Sequence, residues 1–191
     1  MNFWWMAFLM AMPLPAAAVP AFLPAQDVVI DYAVSAPGRP AQAFEVSYEA
    51  GPRLARVDDT AHGVSYLADL NAGQVEILVP MLRAVVEAPD MSRFAGMLQN
   101  ADDAQFVRLG HGHYAGMGCE TYLVTNAQGS GTACLTHDGE ILHFHGHDSH
   151  GGVDITAATV RFGPVPAGFF SVPADFSHLQ LPPGMLAQLL K

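Results

Sequence analysis

Residues 116–147 read GMGCETYLVTNAQGSGTACLTHDGEILHFHGH, and the alternation of polar and apolar side chains along this stretch decides the fold class. Tyr122 and Val124, then Ala133 and Leu135, then Leu142 and Phe144 fall at every second position. Period two marks a strand with one buried face. Residues 126–131 (NAQGSG) separate the first run from the second, and Asp138-Gly139 separates the second from the third as a type I′ hairpin turn. That turn pairs Leu135 with Leu142, Cys134 with His143 and Thr132 with His145. Directly opposed residues of an antiparallel pair point to one face. An apolar face of Tyr122, Val124, Ala133, Leu135, Leu142 and Phe144 is therefore expected, with Cys119, Cys134, His143, His145 and His147 on the other. If Cys119 sits opposite Cys134, Thr121 lies opposite Thr132.

The same period extends outward in both directions. In DVVIDYAVS, Val28, Ile30, Tyr32 and Val34 share a face; in QAFEVSYEA, Phe44, Val46 and Tyr48 do so. PRLARVDD, GVSYLADL (Val64, Tyr66, Ala68 and Leu70 on one face), QVEILVP and AQFVRLG continue the series, and VDITAATVRFG follows the histidine stretch. Pro37-Gly38 and Asn71-Ala72-Gly73 supply turns. Consecutive short strands with short turns predict an antiparallel meander. Asp90 is placed as an N-cap, and Phe94, Met97 and Leu98 at helical spacing predict a short helix over 91–99. PPGMLAQLLK, 182–191, reads as a second short helix. PVPAGFFSVPADF is Pro-rich and irregular, with Phe169, Phe170 and Phe176 as plugs for an open sheet edge.

Composition narrows the function classes. The chain has 191 residues and is 51% hydrophobic, which suits one domain with a real core. Eight Lys and Arg against 18 Asp and Glu argue against nucleic acid and against docking on anionic lipid, both of which need a cationic surface. Residues 1–25 read as a signal peptide: no charged side chain precedes Asp27, and Phe3–Met12 is an apolar run too short to span a bilayer. Prolines 13, 15, 20 and 24 interrupt any continuation as a spanning helix. Ala16-Ala17-Ala18 offers a small-x-small cleavage pattern; cleavage after Ala25 and an uncleaved anchor are the alternatives. Residues 26–191 form the single domain, periplasmic or secreted and without stable membrane insertion once the leader is removed. In an oxidising compartment Cys119 and Cys134 read as one disulfide; in a cytosolic chain they would be two buried thiols.

The order of these features is similar to that of a known group. YLADLNAGQVEILVP, GMGCETYLVTNAQGSGTACLTHDGEILHF and FFSVPADF resemble periplasmic families of unknown function grouped with the LolA/LolB lipoprotein-carrier superfamily, over residues 26 to 178. The resemblance implies a mainly β, α+β fold: a curved antiparallel half-barrel with a few short helices across its concave side. In the carriers that concave cavity shelters lipoprotein acyl chains; their functional residues have no matching positions here, so the function transfers only at the level of fold. A curved sheet of about ten strands with two short helices leaves concave surface to be covered. Phe44, Val46, Tyr48, Tyr66, Tyr122, Val124, Leu135, Leu142 and Phe144 are the candidate ligand-cavity residues.

The histidines are the competing candidate. Seven of nine lie between 111 and 150. His143, His145 and His147, two apart on a strand, project from one face, and His150, Asp148 or the pair His111 and His113 could complete a zinc or copper site. A straight strand does not bring three successive imidazoles to one ion unless it bends, and Gly146 is the position for a bend. A solvated polar face is the alternative. His62 and His178 stand alone and read as structural. No G-x-S-x-G elbow is present, GHDSHGG holds Ser, His and Asp without separate elements to converge them, and the cysteines are not C-x-x-C. The sequence thus predicts an exported, non-enzymatic, LolA-like binding protein, cofactor-free, holding an apolar small molecule, a lipoprotein acyl chain or a partner segment. The alternatives are a periplasmic zinc- or copper-binding protein, or a structural envelope protein. Nothing in the sequence sets the oligomeric state.

Overall fold

The structure, a computed structural model, describes residues 19–87, 104–126, 129–148, 151–166 and 168–179. The elements are β1 (Val28–Ser35), β2 (Gln42–Glu49), β3 (Leu54–Asp59), β4 (Val64–Asp69), β5 (Gln74–Val79), β6 (Ala84–Glu87), β7 (Gln105–Tyr114), β8 (Met117–Asn126), β9 (Gly129–Leu135), β10 (Ile141–Asp148), β11 (Gly151–Phe162) and β12 (Ser177–Leu179), with one 3₁₀ turn at Pro80–Leu82. They form a single sheet in the order β12-β6-β5-β4-β3-β2-β1-β11-β10-β9-β8-β7. Two meanders, β1–β6 and β7–β11, are therefore joined where β11 returns to pair with β1. All neighbours are antiparallel except β12, which runs parallel to β6. The helices expected over 91–99 and 182–191 lie outside the described residues, among which the 3₁₀ turn is the only helical element.

Register turns the sequence alternation into two faces. On one face a rank of apolar residues crosses seven adjacent strands: Val160, Ile30, Val46, Val57, Tyr66, Ile77 and Val86. A second rank beside it holds Phe162, Val28, Tyr48, Ala55, Ala68 and Val75. The opposite face carries charged ladders. Arg161 bonds Asp31 on β1 (2.6 Å) and Glu45 on β2 (2.8 Å), tying three strands at their solvent side. Further along, that face becomes apolar: Leu67, Leu78 and Val85 are buried under Val172 and Phe176. Arg56 fastens this covering strap. Its guanidinium bonds Asp58 through Nε and Nη2, donates to the Phe169 carbonyl at 3.0 Å, and lies 4.3 Å from the Phe169 ring centroid. Phe169 and Phe176 thus cover a sheet face and do not plug an edge. The β6 edge is covered by β12, a strand too short to show in the period-two pattern.

Two details of the central hairpins differ from expectation. Thr121 lies opposite Cys134, and Leu123 opposite Thr132. The Cys119–Cys134 disulfide forms, but diagonally, with Cα atoms 5.4 Å apart. The offset is two residues, so every side chain keeps its face. The second difference is the Asp138-Gly139 turn. Only Gly139 has positive φ (98°), whereas a type I′ turn needs it at both central residues. The Gly139 N–H bonds the Thr136 carbonyl (3.3 Å) and the Thr136 N–H bonds the Glu140 carbonyl (2.9 Å). The longer loop introduces a bulge, so Leu135 pairs with Ile141 and Leu142 is the extra residue before His143 resumes opposite Cys134. The type I′ turn occurs instead at Ala115-Gly116, between Tyr114 and Met117, with φ of 49° and 76°. The β7 strand is longer than the AQFVRLG run because it includes His111 and His113.

Candidate functional site

The apolar face is the part of the molecule whose residues converge on a common task. Phe44, Val46, Tyr48 and Tyr66 meet on β2 and β4, bridged by Val57, which the period-two reading passes over because Arg56 and Asp58 flank it. Six inter-strand steps of about 4.8 Å make the seven-residue rank roughly 29 Å long. It is closed at its β5–β6 end, where Ile77 is wholly buried and Val86 nearly so, and Ile30 on β1 is buried too, while Val160 at the β11 end is half-buried. Its middle, Val46, Val57 and Tyr66, is half-buried. Tyr122, Val124, Leu135 and Phe144 form a second apolar group across β8, β9 and β10, joined by Ala133, Ile141, Phe106 and Phe22. Phe22 meets Phe106 edge to face, with centroids 5.5 Å apart, and Phe106 meets Tyr122 likewise at 6.2 Å. Leu142 is fully buried with Val28, Ile30, Ala157 and the disulfide. The candidate cavity residues therefore fall into two patches, with Leu142 joining Tyr48 in the buried cluster beside the first.

The apolar face also carries polar groups. Asp59 interrupts it between Phe44 and Val64; its carboxylate accepts the Ala61 and His62 N–H groups at 3.1 Å each, and its other oxygen lies 2.7 Å from His62 Nδ1. His62 is thus a turn residue with a partner. Burial pushes the phenols of Tyr48 and Tyr66 upward, and the Asp59 charge adds to the effect at Tyr66. Tyr32 is raised furthest, by burial and then by Glu140, while its hydroxyl donates to the Ile141 carbonyl at 2.7 Å. These phenols stay neutral over the physiological range, so the face can adsorb apolar surface without charging its tyrosines.

The histidines assemble differently from the expected metal set. His143 Nε2 and His145 Nδ1 both address the same Asp154 oxygen, at 3.1 and 3.2 Å. Burial works to raise the Asp154 carboxyl, but the hydrogen bonds and charge of His143, then His145 and Thr156, hold it below the usual carboxylate range. Tyr114 stacks on His143, with centroids 4.7 Å apart and planes 7° from parallel. His147 lies opposite Ser130 and Gly152, away from that pair, and His150 is outside the described residues. His111 contacts Arg108, and His178 is exposed on β12. Among the described residues no three His, Cys, Asp or Glu side chains are placed to hold a metal ion. Among the described residues the zinc or copper alternative is therefore not favoured. A strand spaces its imidazoles about 7 Å apart, and here the nearest carboxylate draws both rings to itself.

The molecule's edges complete the geometry. The tip of the β7–β8 hairpin bends over the disulfide, so that a Cβ on Gly112 would lie 2.6 Å from Cys134 Sγ. The outer edge strand, β7, exposes Val107 and Leu109 by more than half. Among the described residues no helix is long and apolar enough to cross a membrane.

This architecture recurs in solved structures. An uncharacterized conserved protein from Thermus thermophilus superposes with a TM-score of 0.58 at 11% identity, over 82% of this chain and 91% of that one. A chain of the Pseudomonas aeruginosa MucA/MucB complex superposes with a TM-score of 0.54 at 16% identity, over 83% of this chain and 62% of that one. The fold is the one these two proteins share. A LolA superfamily protein from Nitrosomonas europaea also matches, with a TM-score of 0.45 at 11% identity, over 78% of this chain and 92% of that one. No protein-family model matches the sequence, and no curated protein does. Likeness at these identities establishes architecture alone.

Proposed function

We propose that the chain is an exported, non-enzymatic binding protein whose LolA-like sheet holds an apolar ligand, such as a lipid or lipoprotein acyl chain, against its apolar face. The observation that carries this reading is the continuous rank from Val160 to Val86, whose middle members Val46, Val57 and Tyr66 remain half-buried. An apolar strip of that length in a secreted domain favours contact with something that has apolar length of its own. Titration of delipidated protein with a fluorescent fatty-acid probe tests it. Saturable uptake is expected, weakened at least about tenfold in Val46→Ala/Val57→Ala and unchanged in His143→Ala. Absence of saturable uptake by the wild type removes the reading.

A partner segment is the second occupant, favoured by exposed Val107 and Leu109 on edge strand β7. The MucA/MucB complex shows that a protein with a comparable sheet engages a protein partner. An extended segment could add to β7 through main-chain hydrogen bonds. Under this reading Val107→Lys/Leu109→Lys abolishes partner capture from envelope extract while leaving probe uptake intact.

A further inference from the structure

We propose that the leader is removed at the Ala18–Val19 bond, and that the residues following that bond are retained as a staple of the folded domain. The sequence alone leaves Ala18 and Ala25 both open as cleavage positions. The structure separates them. Phe22 packs into the Val124, Ala133 and Leu135 cluster, edge to face with Phe106. Leu23 packs on the central core that contains the disulfide. The Ala25 N–H donates to the Asp138 carbonyl at 2.8 Å. Gly139 fits beneath this segment so closely that a Cβ there would lie 2.2 Å from the Leu23 carbonyl oxygen. Cutting after Ala25 would discard all of these contacts and leave Gly139 facing solvent.

Exposure changes where the proposal needs it to change. Val19 is 61% exposed, whereas Phe22 and Leu23 are half-buried. A chain beginning at Val19 therefore places its new ammonium group in water and its first aromatic side chain in the core. The chemistry of the bond agrees. Leader peptidases accept small side chains one and three residues before the cut. Ala18 and Ala16 satisfy this, whereas a cut after Ala25 would place Leu23 in the third position. Hydrolysis adds one water across the amide, leaving a carboxylate on Ala18 and an ammonium on Val19.

Intact-mass and N-terminal sequencing of the full-length chain, expressed in an exporting bacterium and recovered from the envelope fraction, tests the proposal. The expected product lacks residues 1–18 and carries the mass deficit of one disulfide. A start at any residue after Val19, a start before Val19, or retention of Met1 overturns the assignment. A second measurement tests the staple separately. Chains starting at Val19 and at Gln26, each behind the same unrelated leader, are compared by thermal unfolding. The Gln26 start is expected to melt at least about 5 °C lower; equal melting temperatures would show that residues 19–25 do not staple the domain.

Discussion

Gly139 and Ala115 both have positive φ, but the two positions carry opposite consequences for mutation. At Gly139 the φ of 98° and the Leu23 carbonyl leave no room for a side chain. Gly139→Ala is expected to destabilise by about 1–3 kcal/mol in urea unfolding, from backbone strain and displacement of the Leu23 segment. At Ala115 a methyl already sits in the left-handed region, at φ 49°. Ala115→Gly should relieve that strain and stabilise by about 0.5–1 kcal/mol in the same assay; a loss of stability would mean that the methyl's packing on the core outweighs it. Asp31 gives a pH prediction. The hydrogen bond from Arg161, then that from Thr159, holds its carboxyl below the usual range. A depressed folded value means stability that is present above the ordinary carboxylate pKa and lost as pH falls through the folded one. The stability difference between wild type and Asp31→Asn should therefore be constant from about pH 8 to 5 and shrink below about pH 4. A difference that grows in acid would contradict the assignment.

At the scale of elements, the disulfide and the strap hold what hydrogen-bonded strands alone would leave loose. Cys119 and Cys134 are 15 residues apart in sequence, and closing a loop of that size is worth about 3 kcal/mol in the chain-entropy model. Reduction under native buffer conditions should lower the unfolding free energy by about that amount without changing far-ultraviolet circular dichroism. Collapse of the spectrum would show that the β7–β8 tip cannot fold without its bridge. Period two reveals most strands in the bare sequence, because each strand buries one face. It misses β12, whose three exposed residues form no alternation. It also stops β7 at Gly110, because glycines and histidines replace the apolar positions from there to Tyr114. The Asp138-Gly139 loop is located correctly, but its geometry depends on side chains that are local partners only once folded. The Thr136 hydroxyl bonds Glu140, and the Leu23 segment presses on Gly139.

At the scale of the whole molecule, two meanders meet at β1 and β11 to make one apolar surface from strands as far apart in sequence as Val28 and Val160. The only tryptophans are Trp4 and Trp5. Processed protein should therefore show tyrosine but no tryptophan emission, and tryptophan emission would mean that the leader remains. Alternation within each strand determined, from sequence alone, that the chain is a β protein with an apolar side and a polar side, and it set both cysteines on one face. Those are local consequences of backbone pleat and side-chain type. That β11 returns to β1 and β12 covers β6, that the disulfide runs diagonally, that Phe22 and Leu23 belong to the core, and that Asp154 draws in the rings of His143 and His145 were decided only by tertiary structure. Each depends on contacts between residues whose separation along the chain carries no periodic signal.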